Sequence, residues 1–429
     1  MLNVRNILVA LLCVSPVLLL WDGRVAQGIV AAMAAVGLAM TAISLRPVET
    51  GFLVSVTRAS LTAAAVPVIW IVLQILPLGI FAHPIWKSAA TGLHQPILGS
   101  ITIDPALSLM SLGYYLTLIA IAFLSAAVAV DRHRAEWILF ALTGAATITG
   151  LFVIGWHFFP LASWFPALQF AQAIDCVSLG TIVTLTNCIR AVERYEMRNA
   201  RQIKPPNLRR FALSLTALAI SLLAFALLAE QQIVFATAYG LFALAGQLII
   251  RRFGLGSWGV AGMAIPALSI AAILVTSHSS QREASAPLAF ASGSSPARIE
   301  LNQRMLNDAP GVGTGAGTFP ALAPIYREKD DPPSASVPAT TASAFAIELG
   351  KPAFWLILVG TAGFIVILLR ASLRRGRDSF YPAMAGGTLL ATALLAFTNA
   401  GQLGMSPGLI VAAIVGLGIG QSESRTIHL

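Results

Sequence analysis

The sequence predicts an all-α, polytopic inner-membrane protein with about 12 transmembrane helices and one long periplasmic loop. Three observations carry that expectation. Of 429 residues, 57% are hydrophobic and 10% charged, whereas a soluble domain carries roughly 45–50% and 25%. The apolar surplus, with a mean hydropathy of +0.80, is gathered into runs of about 20 residues, the length at which a helix crosses ~30 Å of hydrocarbon. Positive charge then alternates from side to side between consecutive runs.

The runs are Ile7 to Trp21, Val25 to Leu45, Ser60 to Ala82, Pro105 to Val130, Trp137 to Phe159, Leu168 to Ile189, Phe211 to Ala229, Gln232 to Ile250, Trp258 to Ser277, Pro352 to Leu369, Tyr381 to Ala400 and Pro407 to Gly420. They organise the chain as residues 1–277 with spans one to nine, 278–351 as the periplasmic loop, and 352–429 with spans ten to twelve. If the chain starts inside, 19 of its 27 Lys and Arg fall on inner connections, most densely between Arg190 and Arg210. The short outer connections are nearly free of them, so both termini are expected in the cytoplasm. The first span reads as an uncleaved signal anchor, because no small-x-small cleavage site follows Trp21 and Asp22.

The same arithmetic excludes other classes. Three Cys cannot build a disulfide framework, and Cys176 and Cys188 would stand about 18 Å apart on one helix. In a soluble chain a net charge of +9 would suggest nucleic acid; here it marks topology, and no nucleic-acid partner is expected.

Two outer segments are too long to be plain connections. His83 to Asp104 carries Trp86, Lys87, His94 and Pro96, and the segment from His278 to about Lys351 has folded character. Within the second, a short helix is expected from Arg298 to Asp308, followed by a glycine run with Gly311, Gly313, Gly315 and Gly317, and a second helix ending at Glu348-Leu349-Gly350. No Gly-Lys-Ser/Thr follows the glycines and no strand precedes them, so neither nucleotide-loop type fits. Such glycines can bring backbone N–H groups to an anion or a sugar; the alternative is a tight turn between two helices. The neighbouring Asp330 and Asp331 lack further metal-ligating side chains and read as a solvated turn, so no cofactor is expected. Asp175 lies about two turns inside the sixth span, where a carboxylate needs a partner or a wet cavity. That makes it a substrate-handling candidate, with local hydrogen bonds to Ser178 or Gln172 as the alternative.

The pattern Arg298, then Met305 through Phe319 with its four glycines, then Pro324-Ile325-Tyr326 and Glu348-Leu349-Gly350 before a membrane helix, resembles the large outer loop of the O-antigen ligase and polymerase superfamily. Ile103-Asp104-Pro105 and Asp131-Arg132-His133-Arg134 are similar to that family as well. The resemblance implies transfer or polymerisation of an undecaprenyl-diphosphate-linked glycan onto a lipid or glycan acceptor at the periplasmic face, without nucleotide or obligatory metal. It assigns Arg298 to the diphosphate, as a planar fork of donors suits a departing anion. Arg304, about 120° round the helix, is a reserve. The glycines would shape the pocket.

Two features depart from the family pattern. Where the family has an outer Ser-Arg-Gly-like turn, this chain reads Ala229-Glu230-Gln231-Gln232. The family's His-Asn element before Glu-x-Gly is replaced by Pro338-Ala339-Thr340-Thr341-Ala342-Ser343, and there is no histidine between His278 and His428. Glu230 and Glu348 are therefore substitute candidates for a general base, with His83, His94 and His157 near the same outer face read as structural or solvated, and Gln231 is a candidate for a phosphate contact. The departures leave a second reading open, a catalytically degenerate scaffold subunit of a polysaccharide-assembly complex. A transporter or flippase is a third, and it leaves the glycine loop unexplained.

Overall fold

The computed structural model describes residues 2–45, 47–79, 81–159, 169–199, 208–228, 230–253, 285–288, 290–291, 293–328, 336–375 and 378–423. The expected ninth span, Trp258 to Ser277, lies outside the described residues, as do Asp330, Asp331 and much of the basic stretch before Arg210.

Among the described residues every regular element is helical. In chain order they are α1 (Leu2–Leu18), α2 (Arg24–Ser44), α3 (Pro47–Ile75), α4 (Ile85–Leu93), α5 (Pro105–Ala129), α6 (Arg132–Phe158), α7 (Phe170–Asn199), α8 (Leu208–Leu228) and α9 (Gln231–Phe253). The loop contributes α10 (Pro296–Asp308), α11 (Phe319–Tyr326) and α12 (Thr341–Glu348), and α13 (Lys351–Arg374), α14 (Phe380–Leu395) and α15 (Met405–Gly420) follow. Eight of these, α2, α3, α5 to α9 and α13, are long and apolar enough to cross a membrane, and α1, α14 and α15 are shorter apolar helices packed among them.

Local chemistry sets the ends. Asp104 caps α5, its carboxylate accepting from Ala106 N at 2.9 Å and Leu107 N at 3.2 Å, with Pro105 in the first turn where no N–H is needed. Asp131 caps α6 in the same way through His133 N. The third run differs from expectation: the helix starts at Pro47 and stops at Ile75, before Leu76-Pro77. Proline tolerates a helix start but disfavours helix in the residue before it, so the apolar Leu76 to Ala82 leaves the helix.

At the centre, α5 and α15 run parallel. Tyr114 Oη donates to Gly404 O at 2.9 Å near one end, and Ser125 Oγ to Ala413 O at 2.7 Å further along. Of the eight long apolar helices α7 is the most enclosed, with 78% of its apolar stretch buried against 11% for α3 and 17% for α13. Its interior hydroxyls, on Ser178, Thr181, Thr184 and Thr186, donate to carbonyls one turn back, so their burial leaves no donor unmet. Where α9 crosses α14, Gly240 and Gly387 meet backbone to backbone, an approach that any side chain would block.

The bundle has two unlike ends. One carries α10 to α12 and will be called the loop end. The other, the arginine end, has Arg190 and Arg194 on Glu136 and Arg132 on Asp378 at 3.0 Å.

Candidate functional site

The loop helices form their own apolar cluster around Leu301, Met305, Phe319, Leu322 and Ile347. Asn302, fully buried on α10, ties them together: its Oδ1 accepts from Ala339 N at 3.2 Å and Ser343 Oγ at 3.0 Å, and its Nδ2 donates to Arg298 O at 2.8 Å. A capping box between Thr340 and Ser343 starts α12. The unit docks on the bundle through Thr341 N, which donates to Asn399 O at 2.8 Å in the α14–α15 connection.

The glycine run closes onto Glu348. Gly313, Gly315 and Gly317 all have positive φ, of 81°, 110° and 75°. A side chain on any of them would collide with the Glu348 carbonyl, Thr102 or Ser111 respectively, so both conformation and space require glycine. Gly317 N and Phe319 N donate to the two carboxylate oxygens of Glu348 at 2.9 and 3.0 Å, and Gly315 N donates to the Glu348 carbonyl at 2.9 Å. Gly313 N is taken by Pro310 O. Three of the four glycine N–H groups are thus used inside the turn, which fits a tight turn better than an anion cradle. A side chain at Gly311 would meet nothing within 4 Å.

Glu348 is 7% exposed. Burial pushes its carboxyl up to about 7 from the ordinary 4.5, partly offset by the two backbone donors. Both its oxygens accept from backbone N–H groups and so organise the turn.

Residues far away in sequence complete this arrangement. Gln74 on α3 donates from Nε2 to Val312 O and Glu348 O, both at 3.0 Å, and accepts from Ala316 N at 3.2 Å. Trp70 Nε1 donates to Leu349 O at 2.9 Å, Ile103 N to Thr314 O at 3.0 Å, and Ser108 Oγ to Ala316 O at 3.0 Å. Sequence reasoning singled out Ile103 but missed Trp70, Gln74 and Ser108 as partners of the turn; the one signal was a glutamine and a tryptophan one turn apart in an apolar run.

A second polar group sits at the same end. Asp175 is fully buried and accepts from Asn399 Nδ2 and Gln402 Nε2, each at 2.9 Å. Its partners are therefore on the α14–α15 connection, in place of the expected Ser178 or Gln172. Gln172 instead donates to Asp22 at 2.8 Å, and Asp22 also accepts from Met405 N at 3.2 Å, at the first residue of α15.

The remaining candidates are dispersed. Glu230 is exposed at the α8–α9 connection, its carboxylate lying against Gly293 just before α10, and Gln231 beside it is exposed. Arg298 is half-buried on the first turn of α10. Arg304 forms an ion pair with Glu328 and is turned to that partner. The structure gathers Glu348, Gly313, Gly315 and Gly317 into one unit, brings Glu230 to the approach of α10, and holds Asp175 deeper in a network of its own. No protein-family model matches the chain, and comparison with curated proteins gives no match.

Proposed function

We propose that this chain works on a lipid-linked glycan at the periplasmic face of a bacterial inner membrane, transferring or polymerising undecaprenyl-diphosphate-linked sugar onto a glycan or lipid acceptor. In this reading about twelve helices span the membrane, both termini are cytoplasmic, the loop end is periplasmic, and the chain is a member of the O-antigen ligase and polymerase superfamily.

The observation that carries it is an apolar groove of about 390 Å³ between α3, α5 and α13, lined among others by Ala64, Pro67, Tyr115, Ile357, Gly360 and Phe364. Its rim residues Leu61, Val66, Leu356 and Val359 are exposed on the flank of the bundle, so in a bilayer the groove opens sideways to the hydrocarbon. One helical turn towards the loop end, Ile71 packs with Leu349 and with Ala316 of the glycine turn, and Ile357 belongs both to this cluster and to the groove. A long isoprenoid tail in the groove would leave its diphosphate under the folded loop. In this reading Arg298 is the cation for the diphosphate, and Glu348 or Glu230 takes the acceptor's proton.

The test is the glycan phenotype of a deletion strain. Accumulated lipid-linked glycan or an altered polysaccharide length distribution is expected, and an unchanged profile of both overturns the reading. An Arg298→Ala chain that complements fully removes Arg298 alone. Filling the groove with Gly360→Leu is expected to lower turnover at limiting lipid-linked substrate more than at saturation.

The scaffold reading is favoured by a different observation: the turn's donors and Glu348 are engaged with one another. It predicts a deletion phenotype that a chain with Arg298→Ala, Glu230→Gln and Glu348→Gln together still rescues.

A further inference from the structure

The segment between α3 and α5 holds a feature that glycan chemistry leaves unused. The nine-residue helix α4 has no buried residue at all, yet Ile85, Trp86, Ala89 and Leu93 fall on one side of it, and Lys87, Ser88 and Thr91 on the other. Leu93 is 64% exposed and Leu98 76% exposed, with Leu76, Leu78, Phe81 and Ile85 also open. A run of exposed apolar groups this dense marks an interaction surface.

The helix is nevertheless firmly attached. The Trp86 ring packs on Gly99, where no side chain would fit, and its Nε1 donates to Thr102 O at 3.0 Å. Thr102 in turn lies against Gly315, so α4 is bolted to the glycine turn through a single residue. Towards the end of α3, Ile69, Val72 and Leu73 are likewise exposed, with Leu76 just after it.

We propose that α4 lies flat in the headgroup boundary of the outer leaflet, its Ile85–Leu93 face in the acyl region and Lys87 among the headgroups, and that it sets the height of the glycine turn above the membrane. The occupant of this surface is phospholipid. The neighbourhood of α3 decides for lipid: exposed apolar side chains recur along the chain from Ile69 on a long apolar helix through Leu78 and Phe81 to Ile85, and an amphipathic helix with a lysine on its polar face binds an interface in that orientation. The inference rests on the membrane-spanning reading above and is independent of the reaction assigned to the loop.

The experiment uses the full chain in phospholipid nanodiscs. Spin labels are placed at Ile85→Cys, Leu93→Cys, Lys87→Cys and, as a reference within a span, Val36→Cys, in a background carrying Cys13→Ala, Cys176→Ala and Cys188→Ala. Labels at 85 and 93 are expected to relax with oxygen and resist a water-soluble nickel chelate, and the label at 87 to do the reverse. Chelate access at 93 equal to that at 87 overturns the proposal, and so does a label at 93 shielded from both reagents, the mark of a protein contact. Chelate access at 36 as well would instead remove the membrane reading. In the chain with its native cysteines, emission added by Leu93→Trp should be quenched by lipids brominated high on the acyl chain, and that added by Lys87→Trp should not; equal quenching of the two also overturns it.

Discussion

The two ends of the bundle solve the same electrostatic problem in opposite ways. At the arginine end the buried or half-buried carboxylates meet guanidinium groups: Glu136 is held by Arg190 and Arg194, and Asp378 by Arg132. At the loop end Asp22, Asp175 and Glu348 are held by side-chain amides and backbone N–H groups. Neutral donors stabilise a carboxylate without cancelling its charge. An arginine-paired end sets charge against charge, whereas an amide-held end leaves its carboxylates without a counter-ion, and at Glu348 burial then raises the carboxyl to about 7. A site that must exchange a proton belongs at the second kind of end.

The comparison breaks most readily at Glu136. Arg190 is only 4% exposed, so Glu136→Gln leaves a buried cation short of its counter-charge, and a loss of about 3–5 kcal/mol is expected. Unfolding of the purified variant in detergent measures it; a midpoint near wild type would mean that the pairing is ornamental.

Glu348 tests the proton-trading idea through pH. Its folded carboxyl titrates at about 7 and its unfolded one near 4.5, so the folded state binds the proton more tightly. That contribution is fully present below about 4.5 and is lost as pH rises through about 7, on the order of 3 kcal/mol in all. Over that window the Glu348→Gln chain should lose less stability with rising pH than wild type. Parallel pH profiles of the two would dismiss the idea.

The smallest effect is expected at Asp175. Asparagine keeps one acceptor for Asn399 or Gln402 and removes the charge, so Asp175→Asn should cost about 1–2 kcal/mol, less than Glu136→Gln by the same assay. A larger loss at Asp175 would reverse the contrast between the ends.

How much of this was legible in the sequence depended on distance along the chain. Apolar run length marked the long apolar helices, and Asp104-Pro105 marked the start of α5, because both signals are local. The helix ending at Asp308 and the one ending at Glu348 were readable for the same reason. What could not be read was pairing across the fold: Gln74 reaches Glu348 from 274 residues away, and Asp175 reaches Asn399 from 224. Nothing in a glutamine's neighbours tells which distant carbonyl it will meet. The positive φ of the glycines was readable as a turn, but the consumption of their N–H groups by Glu348 was not.

The bond from Met405 to Asp22, with Ser406 bonded to Ser15 beside it, has a consequence for how the molecule is made. The connection after α1 supplies Asp22 to the first N–H of α15, so the two must find each other after everything between them has been synthesised. Until α15 arrives, the slot beside α1, α5 and α7 stands open, and a stalled chain would expose Ser15, Asp22 and Cys176 within it. Closure therefore comes late and links regions that leave the ribosome far apart in time, the kind of contact that slows assembly and gives quality-control proteases their opening.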